Sequence, residues 1–498
     1  MKICLMLQRR FVYVGHQLAV NLKEKYGVQD FCAYVFIRSG YDFLKQQQDI
    51  QYSSLLLDED IHKQYVDEKL DLGYLKKLEQ DYGLPNLWPY IEVDRVIRFN
   101  QLVREYPYNT PKYSHEEMMR LLQVRAKALL AMIEKEKPDI ILTSIVGAIG
   151  SYLLTEIAKK KGIKMIFIST TRVGNLYTLS EHFSNFTEVD KLFEPLQKSG
   201  SQAPLYEQAK KLLNDFRSSP KTFSQETDYY RQRADRLKQL DFLLPKKLGK
   251  NFLWQLHSFS QQFRSAERYD YSFIHPWSKL KDQLRRKFRN LLRPVSYDAV
   301  ELTEDFAFFP LHFEPEIATS LFAPFYTDQL NLIRQIARSL PIHFKLYVKE
   351  HPTMHEYRPR SYYHELKKIP NVRLVSPKLS SLELINNCRL VTTITGSAGW
   401  EATQLRKPVI TFGDVFYNKF SFVKRCREIE GLPYLIKDQL DNFHFDEQEL
   451  INYIACILSE SVDVNLAYLW EKESDLAKKK KGSEPLAGLI YNKLIKTS

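Results

Sequence analysis

Short apolar runs alternate with stretches whose apolar positions recur every three or four residues through the first part of the chain. KICLML is followed by the helix-like GHQLAVNLKEKYG, then by DFCAYVFIR, then by SSLLL ending in Asp58-Glu59-Asp60. A long amphipathic segment, SHEEMMRLLQVRAKALLAMIEKEK, begins at Ser114 with Glu117 three residues on, the spacing of a capping box. KPDIILTS, GAIGSYLLTEIAKKKG and IKMIFIST then follow in strand, helix, strand order. Strands separated by helices of this length predict a parallel sheet with right-handed crossovers, covered on both faces.

From about Leu205 to Leu292 strand signals almost vanish, leaving the polar helical runs YEQAKKLLNDF, DYYRQRADRLKQL, FLWQLHSFSQQFRSAERYDY and WSKLKDQLRRKFRNLL. A second alternating half starts with DFAFFPLHF at Asp305 and continues through TDQLNLIRQIARSL, HFKLYVK, YYHELKKI, VRLVS, SSLELINNC, RLVTTIT, GSAG, WEATQL and KPVITFG. After about Gln448 the pattern is helical again, with Lys478 to Lys481 as a basic run. The expected organisation is an α/β domain over 1–200, a basic helical insertion or bridge over 201–300, a second α/β domain over 301–460, and a helical extension over 461–498.

Composition changes this picture in three places. The 498 residues suit two domains, and 44% hydrophobic with 27% charged residues excludes a disordered chain. The net charge of +12 is regional: 206–296 holds 20 Lys and Arg against 9 Asp and Glu. The apolar run Ile3 to Leu7 is too short for a signal-peptide core or a membrane span, which predicts a cytoplasmic protein. The five cysteines (Cys4, Cys32, Cys388, Cys426, Cys456) are scattered and sit mostly in apolar runs, so they are expected as buried small side chains rather than a disulfide framework or zinc site.

Ligands of open parallel sheets sit beyond the carboxyl ends of the strands. Three such ends in the second half carry candidate chemistry. In LYVKEHP, Pro352 restricts His351 to an extended backbone at the strand end, where the imidazole can donate to a phosphate oxygen and Lys349 adds positive charge; a polar strand end with a proline stop is the plainer explanation. In ITGSAGWEA, a strand, a small-residue turn (Gly396, Ser397, Ala398, Gly399) and a helix present backbone N–H groups and a positive dipole end to a phosphate. Glu401, expected in the first turn of that helix, could accept ribose hydroxyls, while tight packing and helix capping explain the same residues without a ligand. In FFPLHFEPE, His312 and Glu314 are placed to face the same cleft, and Glu316 is expected as a solvated charge.

PLHFEPE, VKEHP and ITGSAGWEA followed by KPVITFG, in that order, resemble the C-terminal half of bacterial capsule and surface-polysaccharide biosynthesis proteins, a group that includes Kdo-type capsule glycosyltransferases. The resemblance covers about Asp305 to Asn418 and, more loosely, KPDIILTS to TTRVGN. It implies a GT-B-like fold, two Rossmann-like domains facing across a cleft, with a nucleotide sugar as co-substrate and no other cofactor. It implies that His351 and Pro352 meet the donor phosphates or nucleotide, that Gly396 to Gly399 hold the phosphate against the helix end, and that Glu401 binds ribose. The acceptor is expected to be a glycan or lipid-linked glycan.

Glycosyl transfer needs stabilisation of the departing phosphate and, in an inverting enzyme, a base for the acceptor proton. Lys349, His351 and the helix start at Ser397 are the candidates for the first task, with no metal required. The Asp58-Glu59-Asp60 triplet has a D-x-D spacing but is expected as a solvated loop. For the base, His16, Glu181 and His182 of the first domain are candidates, and Arg172 is a candidate for acceptor binding or cleft closure, which a structural salt bridge explains equally well. The basic 206–296 segment fits solvated helix faces or an anionic surface at the inner leaflet; no nucleic-acid motif accompanies it. A CDP-polyol phosphotransferase, a sugar-nucleotide epimerase and a non-catalytic polysaccharide-assembly protein remain as alternatives.

Overall fold

The computed structural model describes residues 1–100, 111–221, 260, 276–292, 295–354, 357–471, 473 and 475–495. Much of the expected basic insertion, including DYYRQRADRLKQL and most of FLWQLHSFSQQFRSAERYDY, lies outside them; its first and last helices are present as Tyr206–Ser218 and Pro276–Leu292.

The first sheet contains β1 (Lys2–Leu7), β2 (Asp30–Val35), β3 (Tyr52–Leu57), β4 (Ile140–Thr143), β5 (Lys164–Thr170), β6 (Leu176–Ser180) and, from the far end of the chain, β13 (Ser461–Asp463). Its order is β13-β6-β5-β4-β1-β2-β3. The period of two along β1 explains why both faces are covered: Ile3, Leu5 and Leu7 enter one core with helix Phe11–Tyr26, while Cys4 and Met6 enter another with helices His115–Glu136 and Ile149–Lys160. The expected capping box at Ser114 and Glu117 is present. All five cysteines are free and buried.

This sheet is not wholly parallel as expected. The link 171–175 between β5 and β6 is too short for a crossover, so β6 folds back antiparallel, with Arg172 at φ +62° and Gly174 at φ +52° in the turn. Strand β13 then pairs antiparallel with β6.

The second sheet is wholly parallel: β7 (Phe306–Pro310), β8 (Lys345–Lys349), β9 (Val372–Val375), β10 (Leu390–Thr393), β11 (Val409–Thr411) and β12 (Val423–Arg425), in the order β12-β11-β10-β7-β8-β9. This is the doubly wound Rossmann order, and its direction of winding reverses between β7 and β10. Phe306 and Phe308 face one core, Ala307 and Phe309 the other.

The cores divide the chain differently from the expected boundaries. Phe186, Val189, Phe193, Ala209 and Leu213 bury with the second domain, so helices Thr187–Ser199 and Tyr206–Ser218 belong to its core, not to the first domain or a separate bridge. The 461–495 tail begins as a strand and returns to the first domain, where helix Leu476–Ile490 packs on Phe11–Tyr26 through Leu486, Ala487 and Ile490, with Asn21 Nδ2 donating to Ser483 Oγ at 3.0 Å.

The Asp58-Glu59-Asp60 triplet is not a solvated loop. It opens a short helix, Asp58–Lys63, and Asp58 is buried in a two-point pair with Arg125, Nε to Oδ1 and Nη2 to Oδ2 both at 2.9 Å, with Tyr34 Oη also donating to it. An arginine placed in the middle of His115–Glu136 needs a buried partner, and the first acid of the triplet supplies it.

Candidate functional site

The loops after β7 and β10 meet where the second sheet reverses. Thr395 N–H donates to His312 Nε2 at 3.2 Å, and the His312 backbone is clamped by Gln329, whose Oε1 accepts from the His312 N–H at 2.7 Å. Gly396 follows because a Cβ there would lie 2.8 Å from Thr393 Oγ1 and 3.2 Å from His312 Nε2. Helix Ser397–Gln404 starts at this turn with no side chain capping it. Tyr417 Oη donates to the Gly396 carbonyl at 2.6 Å, and a Cβ on Gly399 would stand 2.3 Å from that oxygen. Gly399 therefore makes room for the tyrosine that holds the turn, and the N–H groups at Ser397 and Ala398 form the helix end facing the crevice.

His312 is buried, and its Nδ1 has no partner in hydrogen-bond geometry. Burial, then the charge of Arg358, push its pKa down to about 4, so the ring is neutral at pH 7. Because Nε2 accepts from Thr395, the neutral tautomer carries its proton on Nδ1.

At the end of β8 the side chains divide into structure and site. Glu350 is fully buried: its carboxylate accepts from Arg358 Nη1, from Tyr363 Oη at 2.7 Å and from the His351 N–H at 2.6 Å. Arg358 Nη2 also donates to the His312 carbonyl at 2.7 Å and lies 3.6 Å from Glu314 Oε1. One buried guanidinium thus ties together the loops after β7 and β8. Glu314 is held by Arg358 and Gln329 rather than open to the cleft, and burial raises its pKa. Lys349 is buried and donates to Ser381 Oγ at 2.9 Å. His351 is half-buried, accepts from Thr353 N–H at 3.2 Å on Nδ1, and is held neutral, with its pKa near 3, by burial and by Arg358, His312 and Lys349. Pro352 is buried beside it.

The first domain reaches this crevice through the β5–β6 turn. Trp400 Nε1 donates to the Arg172 carbonyl at 3.3 Å, and the Arg172 guanidinium sits 6.0 Å from the Phe416 ring centre, with Tyr417, Glu401 and Glu316 as its charged or polar neighbours. Arg172 Nη1 is buried without a hydrogen-bond partner. Glu401 is buried and lies one turn deeper than expected, because the helix begins at Ser397 and Gly396 takes the cap position. Glu316 is half-buried rather than solvated. Burial raises its pKa against the opposing charges of Arg95 and Arg172, both from the first domain.

The three first-domain base candidates fare differently. His16 is buried against Tyr52 and Phe43, with Nδ1 3.0 Å from Tyr52 Oη, at the β3 edge of its own sheet. Glu181 is exposed, 3.9 Å from both Lys164 and Lys191. His182 is exposed beside the domain seam, stacked on Phe183, which in turn packs on Phe322 of the second domain at 5.8 Å. The structure thus brings together His312, Gly396 to Gly399, Glu401 and Arg172, with Glu314, Lys349 and His351 in the adjoining wall. Arg358, Tyr417, Gln329 and Arg95 carry no motif in the sequence. The one available signal was Glu350, a carboxylate directly after an apolar strand, whose burial calls for a cation such as Arg358. Among the described residues, no group of three or more His, Cys, Asp or Glu is arranged to hold a metal ion.

Residues 270–421 match the family model described as capsule polysaccharide biosynthesis protein, a span that contains all three strand-end motifs. The chain is 32% identical over 139 residues to Protein FixF of Sinorhizobium fredii, a match covering 27% of this chain and 33% of that relative, so it spans about a third of the relative's length. Among solved structures, it is similar to KpsC, beta Kdo 2,7 transferase, from Thermosulfurimonas dismutans at a TM-score of 0.35 and 12% identity, covering 71% of this chain and 91% of that one. It is also similar to UDP-GlcNAc 2-epimerase from Methanocaldococcus jannaschii at a TM-score of 0.26 and 13% identity, covering 92% and 99%. The fold assignment rests on the strand order, not on likenesses of this strength.

Proposed function

We infer, from a second domain whose site loops all fall within the capsule polysaccharide biosynthesis match, that this chain is a glycosyltransferase using a nucleotide-activated sugar for a bacterial capsule or surface polysaccharide. The observation that carries the reading is the meeting of an uncapped helix start, neutral His312 and the half-buried Arg172, whose Nη1 is buried without a hydrogen-bond partner, at the point where a parallel sheet reverses. A departing nucleotide phosphate there would meet backbone N–H groups at Ser397 and Ala398 and a guanidinium, fixed in a site that excludes much of the water. Arg172 belongs to the first domain, so phosphate binding would also hold the two domains together.

The acceptor hydroxyl must lose a proton. Glu316 suits that task better than His16 or Glu181: it lies at the seam between Arg95 and Arg172, and its raised pKa moves a carboxylate toward the working range of a base. The direct test is incubation with UDP-, GDP- and CMP-linked sugars while following release of free nucleotide. Release from one donor, lost in Arg172→Gln, supports the reading; a well-folded protein that releases none from any donor argues against it.

Helix Pro276–Leu292 supports a membrane-surface location. Trp277, Leu284 and Phe288 lie on one stripe of it and are 63%, 57% and 60% exposed, while Arg286 and Arg289 on another face engage Tyr357 beside the site. An outward apolar stripe among cations is the pattern of a helix lying in an anionic interface. No helix among the described residues is long and apolar enough to cross a membrane. Co-sedimentation with phosphatidylglycerol vesicles that falls in Leu284→Ser/Phe288→Ser supports this placement; equal binding by the variant would remove it.

A further inference from the structure

The first sheet also reverses, between β1 and β4, and a cavity of about 120 Å³ lies at that point. A drug-sized ligand needs roughly 300 Å³ or more, and a single water about 10–15 Å³. The cavity therefore takes one substituent of a larger molecule, not the whole of it. Part of its wall comes from across the seam: Ile317 of the second domain lines it, and a Cβ on Gly147 would stand 2.7 Å from Ile317 Cδ1, so glycine there lets the two domains meet.

The walls are chiefly apolar. Phe36 and Ile37 after β2, Val96, Ile145 after β4, Ala148 and Ile317 form them, and Ile145 is 43% exposed. The charged residues around the cavity are already answered. Asp94 accepts from the N–H groups of Val96 and Ile97 at 3.1 Å and of Ile149 at 3.2 Å. Arg95 stands against Glu316, and Arg9 is exposed, so water solvates its charge. The backbone donors in the wall are spent as well, because Ser151 Oγ accepts from Gly147 N–H at 3.1 Å and from Ala148 N–H at 3.0 Å. Gln8 differs. Its Nε2 donates to the Ile145 carbonyl at 3.1 Å, which fixes the amide, and among the described residues its Oε1 accepts no hydrogen bond.

Apolar walls with one fixed acceptor match an acetamido group, whose methyl seeks the walls and whose N–H seeks an oxygen. A hydroxyl would supply the hydrogen bond without the methyl, and a deoxy-sugar methyl the reverse. A protonated amine would place a charge among apolar side chains. We propose that this cavity selects an N-acetylated amino sugar in the acceptor glycan, with the acetyl methyl against the apolar wall and the amide N–H on Gln8 Oε1. The proposal rests on the glycosyltransferase reading for the word acceptor; the cavity and the group it takes do not.

Saturation-transfer NMR tests it with the methyl β-glycosides of N-acetylglucosamine, N-acetylgalactosamine, glucosamine and glucose, and with methyl α-rhamnoside, which carries a methyl but no N–H. Saturable binding of one or both acetamido sugars is expected, strongest at the acetyl methyl, with the other probes weaker by about tenfold or more, the scale of a methyl group in a hydrophobic pocket. Ile145→Trp, which fills the cavity from an exposed position, should abolish that binding, and Gln8→Met should weaken it about fivefold, the scale of one hydrogen bond. If Ile145→Trp lowers the melting temperature, Ile145→Asn makes the wall polar without added bulk and should give the same loss. Equal binding of the glucoside or the rhamnoside, no saturable binding of either acetamido sugar, or unaltered affinity in the Ile145 or Gln8 variants overturns the proposal. Nucleotide binding, measured on the same samples, separates the two ideas: acetamido-sugar binding without any nucleotide response leaves the cavity's selectivity standing and removes the transferase reading, whereas nucleotide binding alone does the reverse.

Discussion

The indole Nε1 of Trp400 donates to the carbonyl of Arg172 at 3.3 Å, so the second domain's site helix holds the first domain's β5–β6 turn by its backbone while the guanidinium stays beside Glu401 and Tyr417. Arg172→Gln keeps that backbone contact and removes the charge. Its expected effect is at least a tenfold weaker nucleotide affinity with little change in melting temperature, and Arg172→Lys should recover only part because it lacks the planar fork. Titration of the nucleotide into each variant checks it; unchanged affinity in Arg172→Gln would show that the guanidinium is structural.

Arg358 has the opposite profile. Its removal leaves Glu350 and Glu314 buried without their cation, and breaking such a pair costs about 3–5 kcal/mol. Arg358→Met should lower the urea midpoint accordingly, and adding Glu350→Gln should recover part of the loss because the two sites are directly coupled.

Acid should weaken the fold through the site histidines. The folded pKa of His312 is about 4 against an ordinary value of 6.5, so the unfolded chain binds the extra proton between those values. The contribution is fully present above about pH 6.5 and disappears as pH falls toward 4. His351, near 3, acts in the same direction, while Asp190, whose pKa burial raises to about 6, acts in the opposite one. The informative quantity is therefore a difference: melting temperature should fall less steeply from pH 7 to pH 4.5 in His312→Gln than in the parent protein. Identical slopes would contradict the assignment.

Glu316→Gln separates chemistry from binding. The variant should bind nucleotide as well as the parent and lose about 10²-fold or more in kcat, the usual scale for removing a general base. A matching loss in nucleotide affinity would instead make Glu316 a partner that positions Arg172.

The alternation of strands and helices through β1 to β5 and β7 to β11 was legible because period-two and helical patterns follow one another there, and PLHFEPE, VKEHP and ITGSAGWEA marked three strand ends of one sheet. The sequence could not show which polar residues in those motifs face inward. Glu350 and Glu314 are consumed by Arg358, a residue outside every motif, and Asp58 by Arg125, far along the chain. Partnerships of this kind depend on tertiary approach. The β5–β6 reversal was missed because a short link between two apolar runs overrides the expectation of a crossover, and that reversal delivers Arg172 to the second domain. The return of the tail was hidden for the same reason: β13 is three residues long and gains its place only by pairing with β6.

The central claim is that the crevice between β7 and β10 grips a nucleotide phosphate. Melting curves of the protein with CMP, CDP, UDP and GDP test it most directly, since a ligand at a hundred times its Kd stabilises the folded state by about 2.7 kcal/mol. One nucleotide should raise the melting temperature, with the shift reduced in Arg172→Gln and in Gly399→Ala, whose added methyl displaces Tyr417 from the turn. A well-folded protein whose melting no nucleotide changes at millimolar concentration would contradict the claim.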